Sequence, residues 1–298
     1  MELSNTSGQA TAPSNSLLQL MRRHPLFFFF LMALGFTWVY EFVFLVLLHL
    51  PLGTATIPGL IIGPTFSAFI MTAITEGNAG MGRLLRRYML WRVGLPWYLV
   101  VLIGIPALLL LTVLVLAGGM RAVRPIVQVY PVAYVLIFFG GGAFFEEPGW
   151  RGFALPRLQQ RYGALRGTLI LGVLWAFWHL PLFLVPGFNG AGTGFAGVSI
   201  PFVEFVIGTM GMAVIFTWVF NNTRGSLLLA MLLHASLDTA VPSTGNSLMF
   251  LTLYVVLVLV ALLIIMATRG RLSYQREVAA PTPEAVVEQE PMTAGKVV

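Results

Sequence analysis

The sequence predicts an all-α polytopic membrane protein with about eight transmembrane helices enclosing a cytoplasm-facing intramembrane cavity. Three observations lead there. Of 298 residues, 58% are hydrophobic and only 9% charged, with a mean hydropathy of +0.87, whereas a soluble domain carries roughly 25% charged residues. Apolar stretches recur at lengths near the roughly 20 residues a helix needs to cross a bilayer. The basic residues fall between those stretches with a strong sidedness. The net charge of +6 thus belongs to loops, which argues against a nucleic-acid partner.

Taken in order, residues 1–24 read as a disordered cytoplasmic N-terminus, polar up to Arg22, Arg23 and His24. The stretch after them is too long for the apolar core of a signal peptide and reads as a retained span. A transmembrane domain occupies 25–268, with candidate spans at 26–50, 55–75, 97–118, 128–147, 167–186, 200–220, 226–242 and 248–268. Residues 269–298 read as a disordered cytoplasmic tail. With the N-terminus inside, all of the 17 Lys and Arg residues except Arg121 and Arg124 lie on the inner side. That asymmetry orients the chain in the cytoplasmic membrane with both termini in the cytoplasm. Arg83, Arg86, Arg87 and Arg92, with Trp91 and Trp97, form an interfacial segment suited to anionic lipid headgroups.

Ionisable side chains at membrane depth are costly and mark functional positions. Here they are Glu41, His49, Glu146, Glu147, His179, Glu204, His234 and Asp238. Glu41 and Glu204 fit no motif, and His49 lies near the outer interface. The others form three patterns. In Glu146-Glu147-Pro148-Gly149-Trp150-Arg151, Glu147 and Arg151 are four apart and can pair on one helix face. Glu146 points elsewhere and is left free for acid–base chemistry, while Pro148 interrupts the helix. In the second pattern, Trp175 and His179 are four apart, so the indole can pack over the imidazole. In the third, His234 and Asp238 share a face, where they can bind one metal or Asp238 can orient the imidazole.

Taken singly, these also read as a charge pair at a helix end, a hydrogen-bonded core histidine and an intrahelical polar pair. Together they supply what a water-activating site needs. The chain has no cysteine, so any metal must be held by His, Asp or Glu. No His-Glu-x-x-His or Gly-x-Ser-x-Gly motif is present. The rivals are a proton- or ion-coupled transporter, with its ionisable groups strung along the membrane normal, and a catalytically silent membrane scaffold.

On these residues the chain resembles the CPBP family of CAAX proteases and bacteriocin-processing enzymes (the Abi family), which includes the Rce1-type prenyl-protein endopeptidases. The family's Glu-Glu-x-x-x-Arg motif matches Glu146, Glu147 and Arg151. Its Phe-x-x-x-His matches His179 with Trp175 in place of the Phe, and its His-x-x-x-Asn/Asp matches His234 and Asp238. The resemblance covers about 130–245. It implies an intramembrane endopeptidase acting on a membrane-associated peptide or protein. Glu146 would activate water, with His179 as its partner or a metal ligand. His234 and Asp238 would bind zinc or stabilise the oxyanion, and zinc would be held by His179, His234 and Asp238. Glu147, Arg151 and Trp175 would support the site.

The spans leave one conflict of depth. Glu146 lies near the inner end of its span, whereas His179 lies about 18 Å and His234 about 12 Å into theirs at 1.5 Å per residue. A common site requires the fourth span to run on past Glu147, or the fifth to begin deeper.

Overall fold

The computed structural model describes residues 16–50, 59, 61–116, 119–241 and 247–274. Among them no strand occurs, and the chain is an all-α polytopic membrane protein. Helix α1 (Ser16–Arg23) turns at His24 into α2 (Pro25–Glu41), which continues as a wider-wound turn to Leu47. A similar turn, Ile61–Thr65, leads into α3 (Phe66–Tyr88), which kinks at Gly77. Then come α4 (Leu95–Leu116), α5 (Met120–Gly140) and α6, which joins Ala143–Glu147, Pro148–Ala154 and Leu155–Tyr162. The last four are α7 (Ala164–Trp178), α8 (Gly194–Asn222), α9 (Leu227–Ala240) and α10 (Ser247–Ala267).

Several sequence expectations change here. Residues 16–23, expected to be disordered, are helical. Residues 1–15 and 275–298 lie outside the described residues. Eight spans are not reproduced among the described residues. Five helices are long and apolar enough to cross a membrane: Pro25–Leu47, Leu95–Leu116, Val123–Tyr162, Gly194–Asn222 and Leu248–Ala267. Of the expected span 55–75, residues 55–58 and 60 lie outside the described residues, and 66–75 belong to α3, whose second half carries Arg83, Arg86 and Arg87. Helices α7 and α9, shorter but apolar, carry two of the site motifs.

These two form the centre because their surfaces allow it. Helix α9 is buried on nearly every side, packing against α4, α5, α6 and α8. Ser226 caps it, accepting from Leu229 N at 3.2 Å while its own hydroxyl donates to Leu90 O at 2.7 Å. A serine cap answers one orphan N–H of the first turn. Helix α7 lies between α6 and α8.

Close approach is secured by small residues, as expected where helices pack within lipid. A Cβ at Gly149 would lie 2.7 Å from Pro64 O, and one at Gly208 would lie 2.9 Å from Tyr254 Cβ. At one end of the bundle, α3, α6 and the α8–α9 turn meet through arginines. Glu76 pairs with Arg83 at 2.6 Å and also with Arg157, Arg87 donates to Gly152 O at 3.3 Å, and Arg224 donates to Arg92 O.

The Gly208 contact gives a first expected outcome. Gly208→Ala overpacks α8 against α10 and should cost about 1–3 kcal/mol, read as a lower unfolding midpoint in detergent. Gly82→Ala on α3, where a Cβ meets nothing within 4 Å, should leave the midpoint unchanged or raise it.

Candidate active site

Pro148 decides the local winding of α6. It has no N–H and its ring crowds the carbonyl four residues back. The interruption expected at Pro148 does not break the helix. It loosens over Pro148–Ala154 into a π-type turn, with Leu155 N reaching back five residues to Trp150 O. Such widened turns recur at functional sites. The Thr65 hydroxyl donates to Phe145 O beside it. Helix α6 therefore runs on past Glu147 to Tyr162, and the conflict of depth disappears. Glu146 lies well inside the bundle, and Trp175 on the antiparallel α7 reaches it.

Glu146 is 3% exposed and is not left without a partner, as the helical spacing alone suggested. Its Oε2 accepts from Trp150 Nε1 at 3.0 Å and from Trp175 Nε1 at 2.7 Å. No hydrogen bond is formed by Oε1 among the described residues. Gly142, at φ 104°, sits directly over that oxygen, and a Cβ there would come within 2.5 Å of it. Only a glycine fits both this backbone conformation and this space.

Trp175 holds more than the carboxylate. Its backbone carbonyl accepts from His179 Nδ1 at 2.9 Å. A carbonyl only accepts, so Nδ1 carries a proton, and in the neutral ring Nε2 keeps its lone pair. The expected stacking of indole on imidazole is a looser contact, with ring centroids 6.2 Å apart. Trp178 and Phe205 pack closer to the half-buried His179, at 4.6 and 5.1 Å. The Trp175 ring also stands edge-on to His234 at 5.7 Å. The guanidinium of Arg151 lies 4.2 Å from its centre and 3.9 Å from that of Phe216.

Glu147 and Arg151 are fully buried and paired at 2.9 Å, as the four-residue spacing predicts. The same Glu147 Oε1 takes His234 Nδ1 at 2.7 Å. Sequence spacing missed this contact because it crosses from α6 to α9. The other nitrogen of His234 faces Asp238 Oδ2 at 3.4 Å, at the long limit of a hydrogen bond. Asp238 is the open edge of the cluster, its side chain 42% exposed. Glu146, Glu147, Arg151, Trp175, His179, His234 and Asp238 are thus brought together at one focus.

Among the described residues no three His, Asp or Glu side chains are arranged to hold a metal ion. The residue types expected for zinc are present, but the arrangement does not fit it: His234 has turned both ring nitrogens to carboxylates. Only His179 presents a free imidazole lone pair.

Sequence reasoning missed Trp150, Gly142 and the Glu147–His234 contact. Trp150 was findable, since it lies four residues after Glu146 on the same helix. Two apolar grooves, of about 430 and 400 Å³, flank Leu180 and Leu184 just beyond His179. Neither is lined by the site's acids or histidines.

A family model described as "Type II CAAX prenyl endopeptidase Rce1-like" matches residues 128–240. Over these residues the chain is similar to the Rce1-like family. A curated relative, the CAAX prenyl protease 2 of Methanococcus maripaludis, is 29% identical over 192 residues, covering 60% of this chain and 68% of that one. The Rce1-like segment contains all seven residues of the cluster. Helices α2 and α3 lie outside it.

The buried pair yields a second expected outcome. Glu147→Gln leaves Arg151 charged and uncompensated and frees His234, and should cost about 3–5 kcal/mol. Glu76→Gln removes a pair at the bundle's end, where Glu76 is about one-third exposed, and should cost no more than about 1 kcal/mol. Thermal unfolding of the two variants in one detergent separates them.

Proposed function

We propose that the protein is an intramembrane endopeptidase that hydrolyses a peptide bond in a membrane-associated protein or peptide. The substrate class is that of the CAAX-type or leader-processing enzymes. The observation that carries this reading is the double hold of Trp175. One residue fixes Glu146 through its indole and His179 through its carbonyl, so a carboxylate and an imidazole lone pair belong to one rigid unit. That is the pairing a general base needs to orient and deprotonate a water.

In this mechanism Glu146 Oε2 stays on the two indoles while Oε1 takes the proton of the attacking water. His179 Nε2 accepts the water's second hydrogen and aims its oxygen at the scissile carbonyl. As the C–O bond forms, charge moves to the carbonyl oxygen. His234 faces that oxygen by giving up the long contact to Asp238, with Nδ1 still held on Glu147. Glu146 then passes its proton to the leaving nitrogen as the C–N bond breaks. Arg151 acts behind the site, fixing Glu147 and hence His234. Substrate enters from the Asp238 side, the only part of the cluster with large exposure among the described residues.

The zinc implied by the resemblance is assigned no step, because its three expected donors, though neighbours, are not arranged to hold one ion. The exposed Arg83, Arg86 and Arg92 would bind anionic headgroups at the cytoplasmic face of the cell membrane, with both termini on that side.

The test uses the purified protein in vesicles with a fluorogenic prenylated CAAX peptide. Glu146→Gln should lower kcat by about 10²–10⁴-fold, with folding unchanged by unfolding midpoint. Trp175→Phe keeps the ring over Arg151 and removes one charge-assisted hydrogen bond of about 1.5–3 kcal/mol, and should lower kcat by about 10- to 100-fold. Hydrolysis should survive chelation. Loss of activity on chelation with recovery on added zinc would overturn the metal-independent mechanism, and full activity of Glu146→Gln would overturn the whole reading.

A further inference from the structure

Thr65 has no part in the mechanism above and lies outside the Rce1-like segment. It closes the widened turn Ile61–Thr65 and leads into α3. A threonine at the start of a helix ordinarily turns its oxygen back on the first free N–H groups. Thr65 does not. Its backbone is already helical, at φ −66° and ψ −57°, and its side chain caps nothing in α3. The hydroxyl donates instead to another helix, at Phe145 O on α6.

Helix α6 needs such donors. Pro148 and Pro156 lack the N–H groups that would return to the carbonyls of Phe144 and Gly152. In a membrane interior, backbone groups loosened by proline are answered by neighbouring side chains and by wider winding. Both occur here. Arg87, in the last turn of α3, donates to Gly152 O at 3.3 Å, within the widened turn Pro148–Ala154. Thr65 donates to Phe145 O just before that turn. Between these two ties the segments touch closely. A Cβ at Gly149 would lie 2.6 Å from Pro64 Cβ, and one at Gly152 would lie 2.6 Å from Leu84 Cδ1. Residues 64–87 thus run along the widened turn of α6 and are tied to it at both ends.

The tie at Phe145 bears on the chemistry, because Phe145 O and Glu146 N belong to one peptide unit. The N–H of that unit donates to Gly142 O at 2.7 Å. A planar peptide held at its carbonyl by Thr65 and at its N–H by Gly142 resists rotation. Its orientation sets where the Cα–Cβ bond of Glu146 points. Glu146 is thereby held at two ends, its carboxylate by Trp150 and Trp175 and its backbone by Thr65. We infer that Thr65 is a positioning residue of the reaction centre, fixing the peptide plane before Glu146 and so aiming the carboxylate oxygen that faces the water. The kinetic part of this inference rests on the proposed hydrolysis; the hold on the peptide plane does not. A base displaced by a fraction of an ångström loses rate without loss of substrate affinity, because its alignment is felt in the transition state.

The experiment compares wild type, Thr65→Val, Thr65→Ser and Gly82→Ala as full chains in vesicles, with the fluorogenic peptide named above. Val copies the branched shape of threonine and lacks the donor; Ser keeps the donor and lacks a methyl group. Thr65→Val should lower kcat by about 10- to 100-fold with KM unchanged. Thr65→Ser should keep most of the rate, and Gly82→Ala should match wild type. A packing role alone gives the opposite order for the two Thr65 variants, since Ser leaves the larger void.

A second measurement needs no substrate. Phe145–Glu146 is the only Phe–Glu step in the 298 residues, so Phe labelled with carbon-13 at its carbonyl, combined with nitrogen-15 Glu, marks this one peptide bond for NMR. Loss of a hydrogen bond at a carbonyl moves its resonance upfield. Thr65→Val should show that displacement, and Thr65→Ser should not. An unmoved Phe145 carbonyl in Thr65→Val, a wild-type kcat in that variant, or a loss that falls on KM alone would sink the inference. Should Thr65→Val fail to fold, Thr65→Ala takes its place under the same criteria. If Glu146→Gln is as active as wild type while the Phe145 carbonyl is displaced in Thr65→Val, the hydrolysis fails and the backbone tie stands, so the two failures remain distinct.

Discussion

A carboxylate at bilayer depth is stable only where donors replace the water it has lost. Glu146 meets this constraint with two indole N–H groups, and the rest of the centre follows from how they are supplied. Trp150 comes from the next turn of the same helix, and Trp175 from the antiparallel neighbour. Both demands fix where α6 and α7 stand. Trp175 then organises the remaining groups, with its carbonyl on His179, its face over Arg151 and its edge against His234. A side chain with an apolar body and a single donor suits this task, because it fills a lipid-like interior and still satisfies a charge.

The second organising element is Glu147. One oxygen serves Arg151 and His234 together and so ties α6 to α9. Buried pairs of this kind contribute less to stability than to uniqueness of arrangement, since removing one member strands the other. The loosened winding after Pro148 belongs to the same design. It carries Trp150 and Arg151 between the two acids and the straight helix beyond, and it lets α6 continue to Tyr162 without a break.

Much of this was legible in the sequence. Composition and basic asymmetry gave the membrane class, and Glu147–Arg151 follows from helical spacing. The same spacing applied to Glu146 points to Trp150, but an indole beside a carboxylate reads as packing until the donor's direction is known. Contacts between helices, such as Glu147 with His234 or Trp175 with Glu146, have no period in the chain and depend on which helices become neighbours. The count of eight spans is not recovered among the described residues for a related reason. Hydropathy counts apolar length, whereas α3 bends at Gly77 and turns its arginines toward Glu76 and Gly152, and α7 and α9 are short helices buried in protein. Glu41 was visible as a mid-span acid, but that α2 lies against Trp150 and Trp178 was not.

That both donors to Glu146 are tryptophans has an optical consequence. Indole emission responds to a charge placed at the pyrrole N–H, so the centre carries its own fluorophores on the carboxylate where protons are exchanged. Trp150 and Trp178 lie 5.7 Å apart, close enough to pass excitation between them. The protonation state of the carboxylate is therefore written into the intrinsic fluorescence of the protein, and changes at the site can be followed without a label.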